Sequence, residues 1–105
     1  MDTIKFGGIF LMALNKTVSN DKIEVIGQYK HVHVRQCTAI DEDGTLLSKS
    51  FHRSIYPPGD IDGSDNFVDT NISELDADVQ AICNAAWTQS VKDAYKAHLI
   101  ANKPS

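Results

Sequence analysis

The chain has 105 residues, of which 42% are hydrophobic and 23% charged, and a formal net charge of -4. One small acidic domain is the reading that fits this length, and no stretch approaches the ~18 consecutive apolar residues of a spanning helix, so a membrane anchor is not expected. The negative mean field and the lack of a basic cluster argue equally against nucleic acid as a partner.

The first eleven residues admit two readings. Ile9-Phe10-Leu11 is apolar, but the segment lacks a small-residue cleavage site and is too short for an anchor. Gly7-Gly8 can be encoded as a ribosome-binding sequence three codons ahead of Met12. Residues 1–11 are then a translated leader or a disordered N-terminus, and 12–105 is the domain. The other reading is a first β-strand over Thr3 to Leu11, where Ile4, Phe6 and Phe10 have strand character.

From about residue 21 to 56 the pattern is β. Ile23, Val25, Val32, Val34 and Ile40 alternate with Lys22, Glu24, His31, His33 and Arg35, a period of two that turns one apolar face to a core. Asp43-Gly44 is a hairpin signal, because a type I′ turn needs positive φ at both central residues. A two-residue loop there sets Glu42 opposite Thr45, Ile40 opposite Leu47, Gln36 opposite Phe51 and Val32 opposite Ile55, with the apolar residues on one face. Gly27 either opens a tight turn or bulges one long strand.

Residues 56–71 read as an acidic loop, with Pro57-Pro58-Gly59 ending the strand and turn formers following. Leu75, Val79, Ile82 and Ala86 then recur at helical spacing over Ile72 to Trp87, with Ser73 as the N-cap and acidic residues in the first turn. Thr88 caps a second helix from Gln89 to about Ala101, whose inward face is Val91, Ala94, Tyr95 and Leu99. The expected fold is α+β: a small antiparallel sheet, a hairpin or three-stranded meander, with a C-terminal helical hairpin over about residues 73–101 packed on one face.

With that register, His31, His33, Arg35, His52, Ser54 and Tyr56 share the polar face of the sheet, and this face is the candidate interaction surface. His31, His33 and His52, joined by Glu24 if Gly27 makes a turn, also have a geometry that a divalent metal could use. Arg35 beside them opposes a cation, so a solvated or partner-covered face is the reading preferred, with no metal and no cofactor. The loop from Asp60 fails as an EF-hand, because Asp65 stands where glycine is needed and Asn71 where glutamate is needed. Trp87, Tyr95 and Phe51 read as core aromatics. Cys37 and Cys83 lie in apolar neighbourhoods without metal or redox spacing and read as small buried hydrophobes, with no disulfide expected. No Gly-rich phosphate loop, HExxH or nucleophile elbow occurs, so no catalytic residues are assigned and a non-enzymatic protein is expected.

Charge is uneven along the chain. Seven acids and no Lys or Arg lie between Arg53 and Lys92, whereas six bases face five acids from Lys16 to Arg53, an arrangement suited to subunits packing head to tail. Histidines on such an interface accumulate charge as pH falls, which should weaken association.

From Met12 onward the chain resembles short uncharacterised proteins of tailed bacteriophages, marine and cyanobacterial ones especially. The carriers are Met12-Ala13-Leu14-Asn15-Lys16-Thr17-Val18, Asp21 to Gly27, Val32-His33-Val34-Arg35, Ser50-Phe51-His52-Arg53, and Val79-Gln80-Ala81-Ile82 leading to Trp87-Thr88, Val91 and Ala94-Tyr95. The resemblance implies an accessory or virion component acting through protein partners, other virion subunits or itself, in the virion or the host cytoplasm. It brings no catalytic residues. A host-directed regulatory binder and a histidine-based metal module are the alternatives.

Overall fold

The computed structural model describes residues 14–104 in full, together with the backbone of Lys5, Phe6, Ile9 and Phe10. Near the N-terminus, β1 (Lys5–Phe6) pairs antiparallel with β2 (Ile9–Phe10), Lys5 opposite Phe10 and Phe6 opposite Ile9. Two short paired strands thus stand where a single strand over Thr3 to Leu11 is one expectation. The start at Met12 and most of the expected leader fall outside the described residues.

Three long strands follow, β3 (Leu14–Ile26), β4 (His31–Glu42) and β5 (Thr45–Tyr56), in one antiparallel sheet of order β3-β4-β5. The β pattern therefore starts seven residues before Asp21. Gly27 opens a turn: it has φ +81°, Lys30 has φ +54°, and the Lys30 amide donates to the Gly27 carbonyl at 3.2 Å. At the β4–β5 connection Asp43 (φ +50°) and Gly44 (φ +85°) supply the two positive φ values of a type I′ turn, as expected. The Asp41 carboxylate accepts from the Gly44 amide at 3.0 Å and from the Asn15 side-chain amide at 3.2 Å.

The loop expected over 56–71 contains a hairpin. Strand β6 (Gly59–Ile61) pairs with β7 (Phe67–Asp69), with Gly59 opposite Asp69 and Ile61 opposite Phe67. One oxygen of Asp62 accepts from the amides of Ser64 and Asn66 and shapes the turn, with Asp65 in the left-handed region at φ +63°.

Helix α1 (Ala77–Ala86) starts later than its apolar spacing predicts. Asn71 is the reason. Its side-chain oxygen accepts from both the amide and the hydroxyl of Ser73, so Ser73 serves an Asx turn and caps nothing, and Asp76 stands at the N-cap. Helix α2 (Gln89–Ala101) begins where Thr88 indicates, the Thr88 hydroxyl accepting from the Val91 amide at 3.3 Å.

Contacts divide the chain into two compact units where one domain is expected over 12–105: Met1–Lys22 with Arg35–Arg53, and Ile23–Val34 with Ser54–Ser105. The core of the second unit is Val32, Val34, Val79, Cys83 and Trp87, with Ile23, Tyr56, Ile72, Leu75, Ile82 and Ala86 packed against it. The helices thus pack on the sheet and the α+β class holds. Val32 is fully buried, and burying a side chain of this size is worth ~1.5–3 kcal/mol. Trp87 closes this core by donating its indole N–H to the Lys30 carbonyl at 2.7 Å, which ties the end of α1 to the Gly27–Lys30 turn.

One face assignment needs correction. Tyr56, not Ile55, packs on the Val32 core, and Ile55 is 60% exposed. Alternation makes this a one-residue displacement of β5 from the expected pairing, and such a step exchanges the two faces of a strand. On α2, Val91, Tyr95 and Leu99 are half-buried as expected, but Ala94 is exposed. Lys92 and Lys96 are half-buried beside them, so the inward stripe widens on the side away from Ala94.

Candidate functional site

In the first unit the side chains of three strands meet at Arg35. Its guanidinium makes a bidentate pair with Asp21, Nε donating at 2.9 Å and Nη2 at 2.7 Å, and its carbon lies 4.5 Å over the Phe51 ring. Hydrogen bonding to Arg35 holds the Asp21 carboxyl below its ordinary range, and the charges of Arg35 and Lys49 act the same way. Six residues separate Asn15 from Asp21 on β3, and six separate Arg35 from Asp41 on β4, so the two contacts belong to one antiparallel register. Phe51 is therefore not a core aromatic. It is 49% exposed and serves as the platform for Arg35, a cation–π contact worth ~0.5–1 kcal/mol at an exposed position.

The same contact corrects the expected pairing of Phe51 with Gln36, since Arg35 and Phe51 share a face. With a two-residue loop at Asp43-Gly44, Arg35 and Phe51 would fall on opposite faces, so the contact between them rules that pairing out. Alternation along β5 then groups Leu47, Lys49, Phe51 and Arg53 on one face and Leu46, Ser48, Ser50 and His52 on the other. The apolar members do not lie over a core. Leu46 and Leu47 are each 53% exposed, at an edge of the sheet.

In the second unit four rings meet where the Gly27–Lys30 turn passes α2. Tyr29 lies 5.3 Å from Tyr95 and 4.8 Å from His98 between ring centroids, and His31 meets Tyr95 edge-on at 5.3 Å. Desolvation lowers the pKa of His31, and the neighbouring charges of His33 and His98 lower it further. Burial raises that of Tyr95, helped by the Asp60 carboxylate. The i, i+3 spacing puts Tyr95 and His98 on one side of α2, but nothing in the sequence links them to Tyr29 and His31.

The expected polar face does not assemble around the histidines. His31 and His33 alternate with buried Val32 and Val34, so they lie on the side of β4 away from that core. Tyr56 and, by alternation, Ser54 lie on the core side of β5. His52 is exposed and belongs to the first unit, with Arg35, whereas Glu24 belongs to the second. Among the described residues no group of three or more His, Cys, Asp or Glu is placed to hold a metal ion, neither His31, His33, His52 and Glu24 nor the acidic turn after Asp60. Cys37 and Cys83 are both buried free thiols. No helix among the described residues is long and apolar enough to cross a membrane.

A cleft of about 470 Å³ is lined by Asp60, Ile61, Asp62, Leu99, Lys103 and Pro104 of the second unit. Its ionic groups are engaged locally: Asp62 in the turn, Asp60 with the Ile61 amide, and Lys103 with Asp65 at 2.6 Å. Comparison with known proteins finds no matching family model, no matching curated protein and no matching solved structure.

Proposed function

We propose that this chain is a small non-enzymatic bacteriophage protein that works by protein–protein contact, as a virion or assembly component. The observation that supports the contact reading is strand β5. It is twelve residues long, stands at the edge of its sheet, and leaves Leu46, Leu47, Phe51 and Ile55 exposed. A long edge with apolar side chains is a template for another chain, and proteins that stay monomeric cover or blunt such an edge. The phage assignment is supported by the resemblance from Met12 to Tyr95 alone.

Mass spectrometry of gradient-purified particles, with the infected-cell lysate as control, tests the role. A fixed copy number in particles supports a virion component. Presence in the lysate and absence from particles overturns it in favour of a host-directed binder.

A further inference from the structure

We propose that the β5 edge of the first unit is a docking strand whose occupant is an extended segment of another protein, with acidic and apolar side chains alternating. The proposal rests on the contact reading above and names the surface and the chemistry of its partner.

The strand order leaves one row of β5 backbone amides and carbonyls facing away from β4, and this row can pair with an added strand. On the face of Leu47, Lys49, Phe51 and Arg53, apolar and cationic side chains take turns along the edge. An antiparallel segment beside it presents alternate residues to this series, so the complementary order is apolar, acidic, apolar, acidic. Thr45–Tyr56 contains Lys49, Arg53 and His52 and no Asp or Glu, so its attraction has one sign. Phe51 is held in place in advance: Arg35 lies over its ring, and Asp21 fixes Arg35 with two hydrogen bonds.

Charge disfavours a second copy as occupant. Pairing β5 antiparallel with itself about Phe51 sets Lys49 opposite Arg53 twice, and a shift of one residue sets Lys49 opposite His52. Like charges directly opposite destabilise a strand pair. A single-stranded nucleic acid is disfavoured by a different contact. Phe51 is the one aromatic ring of the basic face of β5, so successive bases have no series of rings to stack on.

The probe is a fluorescein-labelled peptide, Thr-Val-Thr-Glu-Thr-Val-Thr-Glu-Thr, titrated with the full chain and followed by anisotropy, with amide exchange of β5 recorded by NMR. Binding should weaken with added salt and slow exchange along Thr45–Arg53. The Lys49→Glu/Arg53→Glu variant, confirmed as folded by circular dichroism, should bind about thirty-fold more weakly, since two attractive cross-strand pairs become repulsive. The same peptide with Lys in place of Glu should bind that variant and not the native chain. Four results overturn the proposal: no binding up to about 1 mM, binding indifferent to the charge exchange, displacement of the peptide by an oligouridylate, or self-association abolished by the same two substitutions. If the peptide fails while the protein is found in particles, the docking strand is wrong and the contact reading stands. If the peptide binds and particles lack the protein, the edge is right and the virion role is wrong.

Discussion

Replacing Trp87 with Phe removes the donor of the 2.7 Å bond to the Lys30 carbonyl and about three ring atoms from a side chain only 7% exposed. A neutral hydrogen bond contributes ~0.5–1.5 kcal/mol net, and its loss leaves the Lys30 carbonyl, at the last residue of the turn, without this partner. The missing ring atoms add ~1–2 kcal/mol through lost burial and an incompletely collapsed cavity. The sum is ~1.5–3.5 kcal/mol, large beside the ~5–15 kcal/mol of a typical domain. In urea, with a slope of ~1–1.5 kcal/mol/M, the midpoint followed by far-ultraviolet circular dichroism should fall by ~1–3.5 M. Benzothienylalanine at position 87 separates the two contributions, because sulfur replaces the indole N–H at nearly constant shape. It should lose ~1 kcal/mol. Stability equal to the native chain for that variant, or a loss below ~0.5 kcal/mol for Trp87→Phe, would refute the account of α1 as tied to the turn.

Three further outcomes follow from the second unit. The folded pKa of His31 lies below its ordinary value of 6.5, so the unfolded chain takes up the proton first; stability is full above 6.5 and is lost as pH falls from there toward the folded value. Urea midpoints at pH 7.5 and pH 5 should therefore differ less in His31→Gln than in the native chain, and equal differences would contradict the ring-cluster environment. Lys30 holds φ +54°, so Lys30→Gly should leave thermal stability unchanged or raise it by up to ~1 kcal/mol, whereas β-branched Lys30→Val should lose at least ~1 kcal/mol. A Cβ at Gly59 would meet the Val68 carbonyl oxygen at 2.5 Å and the Phe67 ring, so Gly59→Ala should cost ~1–3 kcal/mol by calorimetry, and a neutral result would show that β6 and β7 part freely.

What could be read from the sequence was local chemistry with one dominant cause. Asp43-Gly44 has the left-handed tolerance of a type I′ turn, and Thr88 precedes an apolar i, i+4 stripe with nothing nearby to compete for its hydroxyl. Ser73 met both conditions on paper, but Asn71 two residues earlier accepts its hydroxyl, and the helix starts four residues beyond it. The β6–β7 hairpin was hidden because three-residue strands carry too little periodicity to stand out among Asp, Gly and Ser. The polar face failed on parity. Its members were assigned by counting from a turn whose position was right, yet Tyr56 faces the core and Ile55 the solvent, the opposite of what that count requires. The ring cluster of Tyr29, His31, Tyr95 and His98 joins a turn to a helix more than sixty residues away, a pairing no local pattern records.

The two thiols make the chain its own reporter of local opening. Cys37 is 6% exposed in the first unit and Cys83 is wholly inaccessible in the second. A disulfide reagent reaches each sulfur only while the structure around it is open, so under fast reclosing the modification rate at each cysteine measures the opening free energy of its own neighbourhood. Peptide-resolved mass spectrometry of one sample, quenched at intervals in native buffer, thus yields two such energies without denaturant, label or engineered residue. Equal opening energies at the two sulfurs would mark one cooperative foldon, and a faster Cys37 would mark the hairpin of β4 and β5 as opening alone.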